Sequence, residues 1–128
     1  MSTTDFGLSA IGQIAVNVHD IERAVEFYGD KLGMKLLFRA PPDLAFFDCD
    51  GIRLMLSPPD RPEFDHPSSI IYFKVDDIQE ASRIRIGRGV QFEGQPAFVA
   101  NMGSYDLWIG AFRDSENNLL AMMSEVAH

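Results

Sequence analysis

The stretch "SIIYFKVDDIQEA" in mid-chain repeats "IGQIAVNVHDIERA" from near the start at a constant offset of 57 residues. Val18 maps onto Val75, Asp20 onto Asp77, Ile21 onto Ile78 and Ala24 onto Ala81. Few positions are identical, but a fixed offset marks two copies of one supersecondary unit.

In the first copy Ile14, Val16 and Val18 share one face of an extended strand, while Gln13, Ala15 and Asn17 share the other, and both faces are expected to be covered. Asp20 reads as an N-cap. Ile21, Ala24, Val25, Tyr28 and Leu32 then recur at helical spacing until Lys31 and Gly33 close the helix. Three extended runs follow: "KLLFRA", a break at Pro41 and Pro42, then "LAFFDC" and "IRLMLS". Asp50 and Gly51 join the last two, a pair that favours positive φ at both central positions of a tight hairpin turn.

The order is therefore βαβββ, and Pro58, Pro59, Pro62 and Pro67 keep the following linker irregular. In the second copy Asp77 caps a helix with Glu80 three residues on, a capping-box variant, and Gly89 ends it. Arg85 falls where that helix's apolar stripe should continue. Then come "VQFEGQPAFVANM", "YDLWIGAFR" and "NLLAMMSEV". The pattern predicts an α+β fold of two tandem βαβββ modules, about 10–57 and 69–126 around a 58–68 linker, within a single domain spanning 1–128.

Composition narrows the function classes. A chain of 128 residues, 46% hydrophobic, fills one core but not two. Its net charge of -8 is dispersed, with no basic stripe for a phosphate backbone, so nucleic acid is excluded as a partner. The lone Cys49, in "FFDCDG", has no partner for a disulfide and no metal-ligand spacing, and reads as a small half-buried thiol. The start "MSTTDFGLSAIGQ" lacks a positive segment followed by an apolar one, and no apolar run reaches membrane-spanning length. A cytoplasmic chain with no membrane partner is the expectation.

The helix "V-x-D-I-E-R-A-V-E-F-Y-x-D-x-L-G-M", the hairpin "D-C-D-G-I-R-L-M-L" and the closing "F-R-D-S-E-N-N-L-L-A-M-M" resemble the vicinal-oxygen-chelate superfamily, which includes glyoxalases, bleomycin-resistance proteins and extradiol dioxygenases. The resemblance spans roughly Ile11 to Val126. Relatives usually carry D-P-D-G-N in the last motif; here Asn117 stands for the glycine, as the next best residue for a left-handed turn. The resemblance implies a curled mixed sheet around a cleft, a homodimer that pairs modules across chains, and a divalent metal held by one residue from each of four strands. The matching positions are Gln13, Met55, Ile70 and Ala121. Only Gln13 offers a donor that hard or borderline cations accept, so no metal and no other cofactor is expected.

His19, His66 and His128 lie off the cleft-facing positions and read as solvated surface histidines; Asp48, Glu93 and Asp106 form no pair with ligand spacing. A two-His-one-carboxylate triad is therefore missing, which argues against extradiol dioxygenase chemistry. Strand parity instead places Gln13, Asn17, Arg53, Met55, Tyr72, Lys74 and Met123 on the cleft, an apolar floor with a few polar groups. Arg53 and Lys74 read either as anion-binding cations or as solvated strand ends, and Tyr72 as hydrogen-bond donor or packed aromatic. Asp106 and Trp108, after the Gly103–Ser104 turn, suggest a rim where Trp108 stacks on a planar ligand; the alternative is that Trp108 fills the core. No nucleophile stands beside a base, and "IGRGV" is a helix end rather than a phosphate loop.

Three functions fit these residues. The first is metal-free binding of a small, partly apolar, anionic molecule, chemistry unknown. The second is a metal-dependent glyoxalase-type lyase or isomerase. The third is drug sequestration in the manner of bleomycin-resistance proteins, which the acidic balance favours and the two cations oppose.

Overall fold

The structure, a computed structural model, describes residues 7–128; residues 1–6, part of the stretch read above for a leader, lie outside the described residues. The chain runs β1 (Gln13–Asn17), α1 (Ile21–Glu26), β2 (Lys35–Ala40), β3 (Leu44–Cys49), β4 (Ile52–Ser57), β5 (Tyr72–Lys74), α2 (Ile78–Gly87), β6 (Gln91–Phe92), β7 (Ala97–Asn101), β8 (Tyr105–Arg113) and β9 (Leu119–Ala127).

The first sheet has the order β1-β4-β3-β2, and the second β5-β9-β8-β6 with β7 also on β8. Each opens with a parallel pair, β1 with β4 and β5 with β9, and is otherwise antiparallel. These open, curled mixed sheets are the α+β architecture that the repeat predicts. The sixth strand expected from "VQFEGQPAFVANM" is two strands, because Gly94 at φ 153 and Pro96 interrupt the ladder between them.

Local chemistry explains the elements. Asp20 and Asp77 each cap a helix by accepting from the amide three residues on, at 3.1 Å. Glu80 does not close a capping box: its carboxylate bonds Arg83 instead. Asp50 (φ 52) and Gly51 (φ 90) form the hairpin turn, and Asn117 (φ 65) takes the left-handed position. After Glu26 the first helix widens into one π-helical stretch, Phe27–Lys31, closed by Leu32 N–H donating to the Phe27 carbonyl at 3.0 Å. That wider winding seats Phe27 and Tyr28, consecutive aromatics, both in the core.

One hydrophobic cluster joins Val16, Val18, Phe47 and Leu56 of the first sheet, Ala24 and Tyr28, Ile78 and Ala81 of α2, and Phe112, Leu120 and Met122 of the second sheet. The helices take the core-facing side of each sheet, α1 against β3 and β4, α2 against β8 and β9. The opposite side of β1 differs from expectation: Gln13 and Ala15 are exposed, because no described element of this chain packs over them. Among the described residues no helix is long and apolar enough to cross a membrane.

Candidate functional site

On the outer face of the first sheet, parallel register sets Gln13 beside Arg53 and Ala15 beside Met55. Arg53 Nε donates to Gln13 Oε1 at 3.1 Å, and Gln13 Nε2 donates to Met55 Sδ at 3.7 Å. The guanidinium lies 5.8 Å from the centroid of Phe46, which stacks on Phe38 at 4.6 Å. Among the described residues Arg53 has no carboxylate partner. Gln13 is therefore one of a bonded row, Arg53–Gln13–Met55, over an aromatic floor.

The outer face of the second sheet carries Tyr72 beside Ala121 and Lys74 beside Met123. Lys74 is not a free cation: its Nζ lies 3.0 Å from Glu125, whose hydrogen bond and charge hold the amine above its usual range. Asn17 and Tyr72 do converge, lining a pocket of about 690 Å³ with Ala15, Phe64, His66 and Ile70. Its wall is tied down by Asn17 Nδ2, which donates to the carbonyls of Phe64 at 2.6 Å and His66 at 3.2 Å.

Asp106 and Trp108 stand apart from the other candidates. In register Trp108 faces Ser124 and Asp106 faces Val126, on the side of β8 opposite Ile109 and Met123. Trp108 packs against the core with Phe98 edge-on at 6.3 Å, and Asp106 bonds His128 at 2.6 Å. The rim expected at this turn is thus a core contact by Trp108, which strand parity turns inward, and an exposed hydrogen bond between Asp106 and His128.

The four positions matched to a metal do not fit one. Gln13 Oε1 already accepts from a guanidinium, a charge that repels a second cation; Met55 offers a thioether; Ile70 and Ala121 offer nothing. The buried Tyr28 and Asp114, and a cluster around His19, escaped sequence reasoning. Tyr28 Oη donates to Asp114 at 2.7 Å across 86 residues, and burial pushes the phenol's pKa up. His19 is exposed, as expected, but bonded at both nitrogens: Nδ1 to Glu116 and Nε2 to Asp65, each at 3.0 Å. No sequence signal links residues 97 apart. The two carboxylates take opposite edges of the ring and do not converge on one ion. Among the described residues no group of three or more His, Cys, Asp or Glu could hold a metal.

Hydrogen bonds donated by the protonated ring to Asp65 and Glu116 raise the His19 pKa above its usual 6.5. Burial pushes the Glu116 carboxyl up, but the amides of Asp20 and His19 and then the imidazole more than offset it, leaving Glu116 below its usual value. A raised folded pKa makes the His19 contribution complete below pH 6.5, and it fades as pH rises through the folded value. Proton NMR should place the imidazole midpoint above 6.5 in the intact chain and lower in Asp65→Asn; an unmoved midpoint would show that the linker carboxylate has no hold on it.

No curated protein matches the chain significantly in sequence. Solved structures do match its fold. A member of the glyoxalase/bleomycin resistance protein/dioxygenase superfamily from Sphaerobacter thermophilus aligns over 92% of this chain and 98% of its own, with TM-score 0.76 and 22% identity. A lactoylglutathione lyase from Agrobacterium tumefaciens aligns over 92% and 95%, with TM-score 0.72 and 21% identity. An antibiotic binding protein from Streptomyces aligns over 93% and 98%, with TM-score 0.74 and 21% identity. Residues 10–122 match the family model described as Glyoxalase/Bleomycin resistance protein/Dioxygenase superfamily, and with the twice-used sheet order this establishes that the chain belongs to that superfamily.

Proposed function

We propose that this chain is a metal-free binding protein for a small, partly apolar organic molecule carrying an anionic group. The observation that carries the reading is the Arg53–Gln13–Met55 row above Phe46: a cation with no carboxylate partner among the described residues, oriented by an amide, beside an adaptable thioether. Binding, rather than a particular reaction, is what these side chains support. Lys74, already compensated by Glu125, contributes little charge to a ligand.

The proposal places the chain in the cytoplasm as one domain and closes the site with a second copy. Tyr72 and Phe38, on the outer faces of the two sheets, are 48% and 49% exposed, and a partner's second sheet laid over the first would cover both. Sedimentation equilibrium should then read a dimer at micromolar concentration, and a monomer alone would remove the partner from the site.

Calorimetric titration with the best hit from an organic-acid screen tests the site itself. Arg53→Met should weaken binding by about 1–3 kcal/mol, the scale of a charge-assisted hydrogen bond, Gln13→Ala by less, and Lys74→Met hardly at all. Affinity unchanged in the first two variants would discard this face. Sequestration of a cationic drug is the second reading, supported by the net charge of -8 and kept in the screen by including cationic compounds. The Streptomyces antibiotic binding protein shares the fold, which makes that comparison worth including.

A further inference from the structure

Arg85, the residue that interrupts the apolar stripe of α2, reaches between the modules. Its Nη2 donates to the Leu32 carbonyl at 3.1 Å and its Nη1 to the Ala81 carbonyl at 3.4 Å. These two carbonyls engage only part of a guanidinium's five N–H donors and bring no formal negative charge. Arg23, Arg39, Arg61, Arg83 and Arg113 have carboxylate partners; Arg53, Arg85 and Arg88 have none among the described residues, and of these three only Arg85 is partly buried. A partly buried guanidinium without a countercharge carries an electrostatic cost, in a chain whose 19 acidic side chains outnumber its 11 basic ones.

Arg85 also lines a crevice of about 280 Å³ at the end of β5. Leu32, Met34, Phe73, Val75, Phe112 and Met122 form its apolar walls. At the rim stand Lys35, Lys74, Asp48 and Cys49. Asp48 is turned toward its own hairpin, where Oδ1 accepts from the Gly51 amide at 3.2 Å, and burial pushes the Cys49 thiol pKa up, so it stays protonated and neutral. Apolar walls, one cation without a carboxylate partner and two lysines at the mouth, of which Lys74 is paired with Glu125, make an amphipathic cavity.

We propose that this crevice is a second ligand site, separate from the Arg53 face, that takes a small monocarboxylate with an apolar tail. The carboxylate accepts from the free N–H groups of Arg85, and the tail lies along Phe73, Val75 and Met122. The volume, about 280 Å³, lies just below the usual range for ligand pockets, ~300–1,000 Å³, which restricts the tail to a short aliphatic chain or a single ring.

Octanoate and the neutral 1-octanol, titrated into isotopically labelled protein, test this without any substitution. Octanoate should shift the amides of residues 32–35, 73–75 and 85, with octanol at least tenfold weaker. Arg85→Gln should weaken octanoate at this crevice about tenfold or more, while Arg53→Met, which removes the cation of the function proposed above, leaves the octanoate response of residues 32–35 and 73–75 unchanged. Val75→Phe, which fills the crevice while retaining Arg85, should abolish the shifts. Octanoate shifts confined to the Gln13–Arg53 face, equal affinity for octanol, or no saturation by millimolar octanoate would each overturn the proposal.

Discussion

Asp114→Ala should destabilise the chain by about 3–5 kcal/mol, read as a fall in the urea midpoint at unchanged slope. Asp114 is 7% exposed and accepts four hydrogen bonds: from Tyr28 Oη at 2.7 Å, the amides of Glu116 and Asn118 at 2.8 Å each, and Asn118 Nδ2 at 3.0 Å. Alanine orphans all of these donors at once, and an unpaired buried donor costs about 1–3 kcal/mol. Water can rescue the two amides at the turn but not the phenol, since Tyr28 is fully buried. Tyr28→Phe removes one donor from a carboxylate that keeps three others, so its cost should stay near 1 kcal/mol. Equal losses in the two variants would mean that the carboxylate does not organise the turn. A domain of this size has roughly 5–15 kcal/mol to lose, so the larger effect comes close to unfolding it.

Phe47→Ala should cost about 3–5 kcal/mol as well, by a different mechanism. Phe47 is fully buried on the inner face of β3, between Leu36 and Leu54 in register, with its ring 6.2 Å from Tyr28. β3 is flanked on both sides by β2 and β4, so the backbone cannot collapse into the space that the ring leaves. Phe46, next in sequence, points outward, stacked on Phe38 and beneath Arg53. Phe46→Ala should therefore cost less, about 1–2 kcal/mol, while weakening ligand binding at the Arg53 face. Thermal melts of the two variants check the contrast; similar losses would mean that the two faces of the first sheet are not distinguished as described.

Much of this could be read from local pattern. That Gln13, Arg53 and Met55 share one sheet face follows from period-two alternation, and these three side chains do bond one another. Tyr72, Lys74 and Met123 share a face for the same reason. The Asp50–Gly51 turn and the caps at Asp20 and Asp77 follow from backbone preferences that act within four residues. Trp108 and Asp106 could not be placed this way. Alternation gives relative parity along one strand, but which side is inward depends on where the partner strand lies, and here β9 and the core set it.

What the sequence alone determined, then, is the twice-used βαβββ plan, its turns and which side chains share a strand face, because these follow from periodicities of two and 3.6 residues and from turn chemistry. Tertiary structure decided the rest. It bridged Tyr28 to Asp114, clasped His19 between Asp65 and Glu116, neutralised Lys74 with Glu125 and left Arg85 lining a largely apolar crevice with no carboxylate bonded to it. The first two link residues 46 to 97 positions apart, and Arg85 reaches a carbonyl 53 positions away. No local periodicity encodes such meetings; they exist only once burial of one shared core has brought the two modules together.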